Sequence, residues 1–356
     1  MAVSPAVRER SEKRKFMPPC RELCELPAPG ALLDGRRAPA VIRRAALLFP
    51  LSGAADLARA GPGCKIVNPA LSISREWRGL LLSRSYAPSD DLAAYVRRHY
   101  VFDARLPDDF VLIDKLMSET AMIRILLEGD WAAETADGQW STFGRIPLMG
   151  PNGIPWRVRV RGPFLVVGVA LRPCGWAGLF EDSAREIADG AVPLDRSWGD
   201  LGRQLFDDVA SAADDAAMVE VIERVLRRRL AALDGPPPSQ AMALFEDIAR
   251  HDSTIQVADA ARRVGLSVRQ LERHCYATFG HSPKVILRRS RFLDMAQAMR
   301  GFGDPSAEQL AALRYFDQSH LNREFRHFFG LTPGQFEKVT TPLFTAGLKL
   351  RADGLA

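Results

Sequence analysis

The sequence predicts an α+β region, a small antiparallel β sheet or barrel plus helices, followed by an all-α region made of two helix-turn-helix units. Three observations carry this. Short apolar runs punctuated by Gly and Pro occupy residues 111–173, and Trp156 to Arg161 alternates apolar with basic, the period of a half-buried strand. Beyond Pro173 the apolar residues recur three and four apart, the period of a helix. Asp234-Gly235-Pro236-Pro237-Pro238-Ser239 then interrupts the pattern, because consecutive prolines end helices and stiffen a linker. The expected division is 1–75 as a loosely ordered extension, 76–235 as the α+β region, 240–340 as the all-α region and 341–356 as a tail.

Each element has its own signal. Residues 1–75 are rich in Pro, Gly, Ala and Arg without a sustained apolar period. Ser89 or Asp90 is a candidate N-cap for a helix that would place Leu92, Tyr95, Val96 and Tyr100 on one face, with His99 as a packing or surface residue. The runs VLIDKLM, MIRILLEG, STFGRIPLMG, PWRVRVRG and PFLVVGVALRP read as strands. The segments GWAGLFED, DLGRQLFDDVASA and MVEVIERVLRRRLAAL read as helices.

Composition narrows the function classes. The chain has 356 residues, 47 % of them hydrophobic, enough for two cores. Its formal charge is +5, which favours an anionic partner. Residues 1–44 hold ten Lys/Arg against five Asp/Glu, and residues 251–340 hold thirteen against nine. A basic C-terminal module suits nucleic acid and equally suits a solubilising surface. Five scattered cysteines argue against a disulfide framework and fit a reducing cytoplasm. Cys20 and Cys24 lack a second pair of ligands, and the six histidines have no ligand spacing, so no metal is expected. No phosphate loop or dinucleotide fingerprint appears, so no cofactor is expected. No run reaches the ~18 apolar residues of a membrane span. The apolar stretch Ala45–Ala58 follows Arg43-Arg44 but lies far from Met1 and contains Pro50 and Gly53, so neither export nor a membrane partner is expected.

The C-terminal third is the most informative. Val257, Ala260, Ala261 and Val264 form the inner face of a helix. Gly265 supplies the positive φ of a tight turn, Leu266 plugs the angle and Ser267 caps the next helix. On that helix Leu271 and Cys275 face inward. Arg269, Gln270, Glu272 and Arg273 are left for a major groove. A second unit starts at Pro305-Ser306, with Leu310, Ala311 and Leu313 at helical spacing and Asp317 as candidate N-cap. Leu321, Phe325 and Phe328 form its buried stripe, and Gln318, Ser319, His320, Asn322 and Arg323 point outward. These residue types pair with base edges and phosphates. Between the units, Val285, Ile286, Leu293, Met295 and Ala296 mark a helix opened by Pro283. Seventeen residues would span about 25 Å, a spacer able to set two recognition helices about one DNA turn, ~34 Å, apart.

Leu266 to Arg273, Gly280 to Pro283, the helix around Arg291, and FDQSHLNREFRHFFGLTPGQF from Phe316 to Phe336 resemble the C-terminal domain of AraC/XylS-type regulators over about 85 residues. The resemblance implies a bipartite all-helical DNA-binding domain with recognition helices near 267–278 and 317–328. It implies double-stranded DNA as partner, RNA polymerase if the protein activates, a small-molecule effector and a homodimer as further candidates. Two residues depart from the pattern. Arg314 stands at a turn position usually held by Gly, and Cys275 where Phe is usual. SYAPSDDLAAYVRRHYVF and the segment from Gly150 to Phe180 resemble an uncharacterised N-terminal domain found with such modules, without a ligand to carry over.

The expected function is therefore a sequence-specific, non-enzymatic DNA-binding regulator. Two rivals stand beside it. One is a DNA-targeted enzyme with a reactive cysteine, for which Cys174 is the candidate and would need an activated thiolate. The other is a non-specific architectural binder, which would need many phosphate contacts.

Overall fold

The computed structural model describes residues 65–67, 81–135, 137–302, 313 and 318–355. By contact the chain divides into Met1–Arg44 and Ala45–Ala356, and everything described lies in the second unit. The readings of Cys20, Cys24, Ala45–Ala58, Pro305-Ser306, Leu310, Ala311, Arg314 and Asp317 lie outside the described residues. So does nearly all of the extension 1–75. Lys65–Val67, inside that stretch, form strand β1.

Strands β2 (Leu81–Tyr86), β3 (Val96–Ala104), β4 (Val111–Leu116), β5 (Met122–Glu134), β6 (Trp140–Ser141), β7 (Pro147–Met149), β8 (Trp156–Leu171) and β9 (Ala191–Pro193) complete an antiparallel nine-stranded sheet. The order is β1-β2-β3-β8-β5-β7-β9, with β4 on β8 and β6 on β5. The two runs PWRVRVRG and PFLVVGVALRP are one strand, β8, and it is the spine of the sheet. Its first half pairs with β4 and its second half with β3. The changeover falls at Gly162, whose φ is +60°. Gly129 on β5 bends beside it at φ +93°, where an added Cβ would meet the Pro163 carbonyl oxygen at 2.5 Å. Both positions need glycine, one for its conformation and one also for the close approach of two backbones.

The helix expected over Leu92–Tyr100 is not formed. Asp90–Leu92 is a single 3-10 turn and Val96–Ala104 is strand β3. Val, Tyr, Phe and His there suit a pleated strand, and pairing with β2 on one side and β8 on the other outweighs the local helical period. His99 is fully buried, its Nε2 3.2 Å from Glu223 Oε1.

The sheet has two buried faces. On one, Val101, Ile123, Ile125, Val167 and Val169 pack against helices α1 (Trp176–Leu179), α2 (Asp195–Trp198), α3 (Asp200–Ala210) and α4 (Asp215–Leu233). On the other, Tyr100, Trp131, Val158, Val160 and Phe164 form a second cluster. Polar bridges tie α4 to the sheet: Asp215 accepts from Arg84 Nε and the Tyr86 hydroxyl, both at 2.6 Å.

The linker 234–239 leads into α5 (Gln240–His251), capped by Ser239. Then follow α6 (Val257–Arg263), α7 (Val268–Phe279), α8 (Pro283–Met299), α9 (Gln318–Phe329), α10 (Pro333–Phe336) and α11 (Pro342–Ala352). The segment expected as a tail therefore carries a helix. Helix α8 joins two cores. Ile286 and Leu287 pack with Phe245, Leu271, Cys275 and Phe279, while Phe292 and Leu293 pack with Phe325, Phe328, Phe329 and Phe344.

Candidate nucleic-acid interface

The first unit is built as its residues require. Ala260 and Ala261 on α6, and Val264 at its end, are buried. Gly265 turns the chain at φ +73°. Ser267 opens α7 with a capping box: its hydroxyl accepts from the Gln270 amide, and Gln270 Oε1 accepts from the Ser267 amide at 2.9 Å. Leu271 and Cys275 anchor α7 in the core. Arg269, Gln270, Glu272 and Arg273 are exposed together on its N-terminal half. Gln270 thus has a structural duty that leaves its side-chain NH2 as the group free to donate outward.

The other end of α7 is held by the sheet region. Ser183 Oγ donates to the Tyr276 carbonyl at 3.2 Å, and the Arg185 guanidinium lies 4.5 Å over the Tyr276 ring. Gly280 ends the helix at φ +72°, against Ala188 and Pro151. One end is docked and the other projects.

In the second unit Phe325, Phe328 and Phe329 bury one face of α9. Gln318, Ser319 and Arg323 are exposed, while His320 and Asn322 are half-buried. Gln318 Nε2 donates to Asn322 Oδ1 at 3.4 Å. A bridge not apparent from sequence fixes this helix: Glu324, buried on α9, accepts from Arg288 Nη2 of α8 at 2.7 Å. Arg269, Arg273 and Arg323 make no ion pair with any described residue, so their guanidinium groups face solvent uncommitted.

The groups that join this module to the sheet are buried charges. Arg289 of α8 is 2 % exposed and donates to the Asn152 carbonyl at 2.6 Å and the Glu119 carbonyl at 2.8 Å. Arg351 of α11 bridges Glu119, on the β4–β5 loop, and Asp294 of α8. Burial alone would raise the pKa of Glu119. Arg351, Arg250 and Arg289 overcome that and hold it down at about 2.

Neither described cysteine, Cys174 or Cys275, offers an activated thiolate. Cys174 Sγ donates to the Ala94 carbonyl at 3.1 Å, and burial pushes its pKa up. Burial raises that of Cys275 much further. Among the described residues no cluster could hold a metal ion, and no helix is long and apolar enough to cross a membrane.

Residues 260–338 match the family model described as a helix-turn-helix domain. The C-terminal region thus carries a helix-turn-helix domain. No curated protein matches the chain. Among solved structures it is similar to unsaturated fatty acid bound wild-type ToxT from Vibrio cholerae strain SCE256, at 10 % identity, covering 67 % of this chain and 94 % of that one with a TM-score of 0.38. ToxT from Vibrio cholerae in its P21 crystal form matches at 10 % identity over 68 % and 98 %, with a TM-score of 0.39. The AraC-like transcriptional activator CuxR matches at 15 % identity over 67 % and 88 %, with a TM-score of 0.30.

Proposed function

We propose that the protein regulates transcription by laying α7 and α9 into two adjacent major grooves of one DNA duplex. The observation that supports this most directly is the set of exposed, uncommitted arginines on two helices joined by the seventeen-residue α8. Arg273 and Arg323 are the base-reading anchors, since a guanidinium fork matches two acceptors on guanine. Arg269, Gln270, Gln318, Ser319, His320 and Asn322 supply the remaining polar contacts. Glu272 accepts from a cytosine amino group.

The part 76–235 is the sensing and assembly half, and 240–340 the DNA-binding half. The protein acts in the cytoplasm, recruits RNA polymerase where it activates, and pairs as a homodimer where operators are repeated. Footprinting of the full chain on DNA from its own upstream region tests the groove assignment. The expected result is two protected major-groove segments about one helical turn apart. A single protected segment overturns it.

A further inference from the structure

We propose that the cavity between the sheet and α11 binds a small carboxylate with an apolar body, held by Arg98, Arg124 and Tyr100. This rests on reading the sheet region as the sensing half, and it names the site and the class of ligand.

Strand register brings the three polar groups together. Arg98 and Met122 both pair with Ala170, while Tyr100 and Arg124 both pair with Gly168. Cross-strand partners share a face, so all of them point to one side of the sheet. Gly168 makes room for the Tyr100 ring: an added Cβ would lie 2.5 Å from its Cζ. Arg98 is 6 % exposed and Arg124 9 % exposed. Among the described residues neither has an acid beside it. The Arg98 Nη1 donates to Ser85 Oγ at 3.3 Å, its Nε has no partner, and its guanidinium lies 4.7 Å over the Tyr100 ring. Arg124 meets Met149 Sδ at 3.8 Å and lies 5.2 Å from the Trp131 ring. The Tyr100 hydroxyl is buried without a partner. The carboxylate of Glu119, also in the cavity wall, is engaged by Arg351.

Burial lowers both arginine pKa values, that of Arg98 to about 10, which leaves it charged at neutral pH. A charge taken out of water without a counter-charge is costly. Two such charges and a free phenol aimed at one cavity form a receptor for an anion.

The rest of the wall sets the body of the ligand. Phe102, Met122 and Trp131 line it from the sheet, and Phe344 and Leu348 from α11. The cavity measures about 130 Å3, close to the ~150 Å3 of an apolar cavity that accepts benzene. This fits one ring or a short alkyl chain. Leu293 of α8 also lines it. A ligand would therefore touch both the linker helix and α11, and DNA affinity would respond to it.

The test is calorimetric titration of the full chain with benzoate and octanoate, against benzamide, octanol and inorganic phosphate. Binding of at least one carboxylate is expected, with its uncharged partner and phosphate at least tenfold weaker. Arg98→Met and Arg124→Met should each weaken it by about 10- to 100-fold, the value of a charge-assisted hydrogen bond. Gly347→Phe, which fills the cavity and leaves both arginines in place, should abolish it. Gly347 lines the cavity, and an added Cβ there meets nothing within 4 Å. Equal binding of charged and uncharged partners overturns the proposal, as does no carboxylate binding up to about 10 mM, a threshold near 3 kcal/mol of affinity. So do arginine variants that fold with unchanged affinity. Anisotropy on operator DNA with the same preparations separates the two readings. Retained DNA binding without carboxylate binding defeats the ligand site alone, whereas loss of specific DNA binding defeats the regulator reading.

Discussion

Asp114 stands on β4 with its carboxylate against the first turn of α11. Its Oδ2 accepts from the Leu343 amide at 2.6 Å and the Phe344 amide at 3.4 Å, so a strand residue caps a helix 229 positions away. The N-cap residue itself, Thr341, makes no side-chain capping bond to the helix. Burial raises the Asp114 pKa to about 7, against the pull of three backbone amides and of Arg300. An unfolded aspartate titrates near 3.9. The folded chain therefore takes up a proton between these values. The stability this confers is full below about pH 4 and is lost as pH rises through about 7. Asp114→Asn keeps an acceptor for α11 but removes that proton. Thermal melts between about pH 4 and 8 should show a flatter profile for the variant than for wild type. Parallel profiles would contradict the assignment. This pairing has no trace in the sequence, where Asp114 is one polar residue in a strand and Leu343 part of a presumed tail.

Helix α11 supplies the clearest prediction among the elements. Gly347 lies inside it, and an added Cβ meets nothing within 4 Å. Glycine in a helix interior costs about 0.5–1 kcal/mol relative to alanine. Gly347→Ala should raise the free energy of urea unfolding by that amount, and a destabilised variant would show that the position is crowded. Other elements were legible to different degrees. Helices α6, α7 and α8 announce themselves because their periods, caps and turn glycine agree: Val257 to Val264, Gly265, Ser267 and Pro283 all do locally what the fold needs. The sequence of strand β3 predicts a helix because Leu92, Tyr95, Val96 and Tyr100 happen to keep a helical spacing. Only the neighbouring strands β2 and β8 decide otherwise. Strand β8 looks like two strands in the sequence because Gly162-Pro163 mark a bend within a strand as readily as its end.

At the scale of the molecule, the sheet and the helix-turn-helix module are joined by buried charges drawn from distant positions. Arg289 reaches the Asn152 and Glu119 carbonyls, and Arg351 ties Glu119 to Asp294. Arg289→Met should lower the unfolding free energy by about 2–3 kcal/mol, measured in urea, because two charge-assisted bonds are lost and their carbonyls stay buried. A change below about 0.5 kcal/mol would mean the junction is soft. The exposed halves of α7 and α9 were readable from sequence, since outward polar residues follow once the apolar stripe is known. The junction and the arginine-lined cavity were not, since a lone Arg in a strand gives no sign that its neighbours lack an acid.

The central claim is that α7 and α9 both read DNA. The most direct measurement is fluorescence anisotropy of the full chain on DNA from its own upstream region, with random DNA as competitor, for wild type, Arg273→Ala and Arg323→Ala. Each substitution should weaken specific binding by about 1–3 kcal/mol and leave binding to random DNA nearly unchanged. If neither variant loses specific affinity, or random DNA competes as well as the upstream sequence, the two-groove account is wrong.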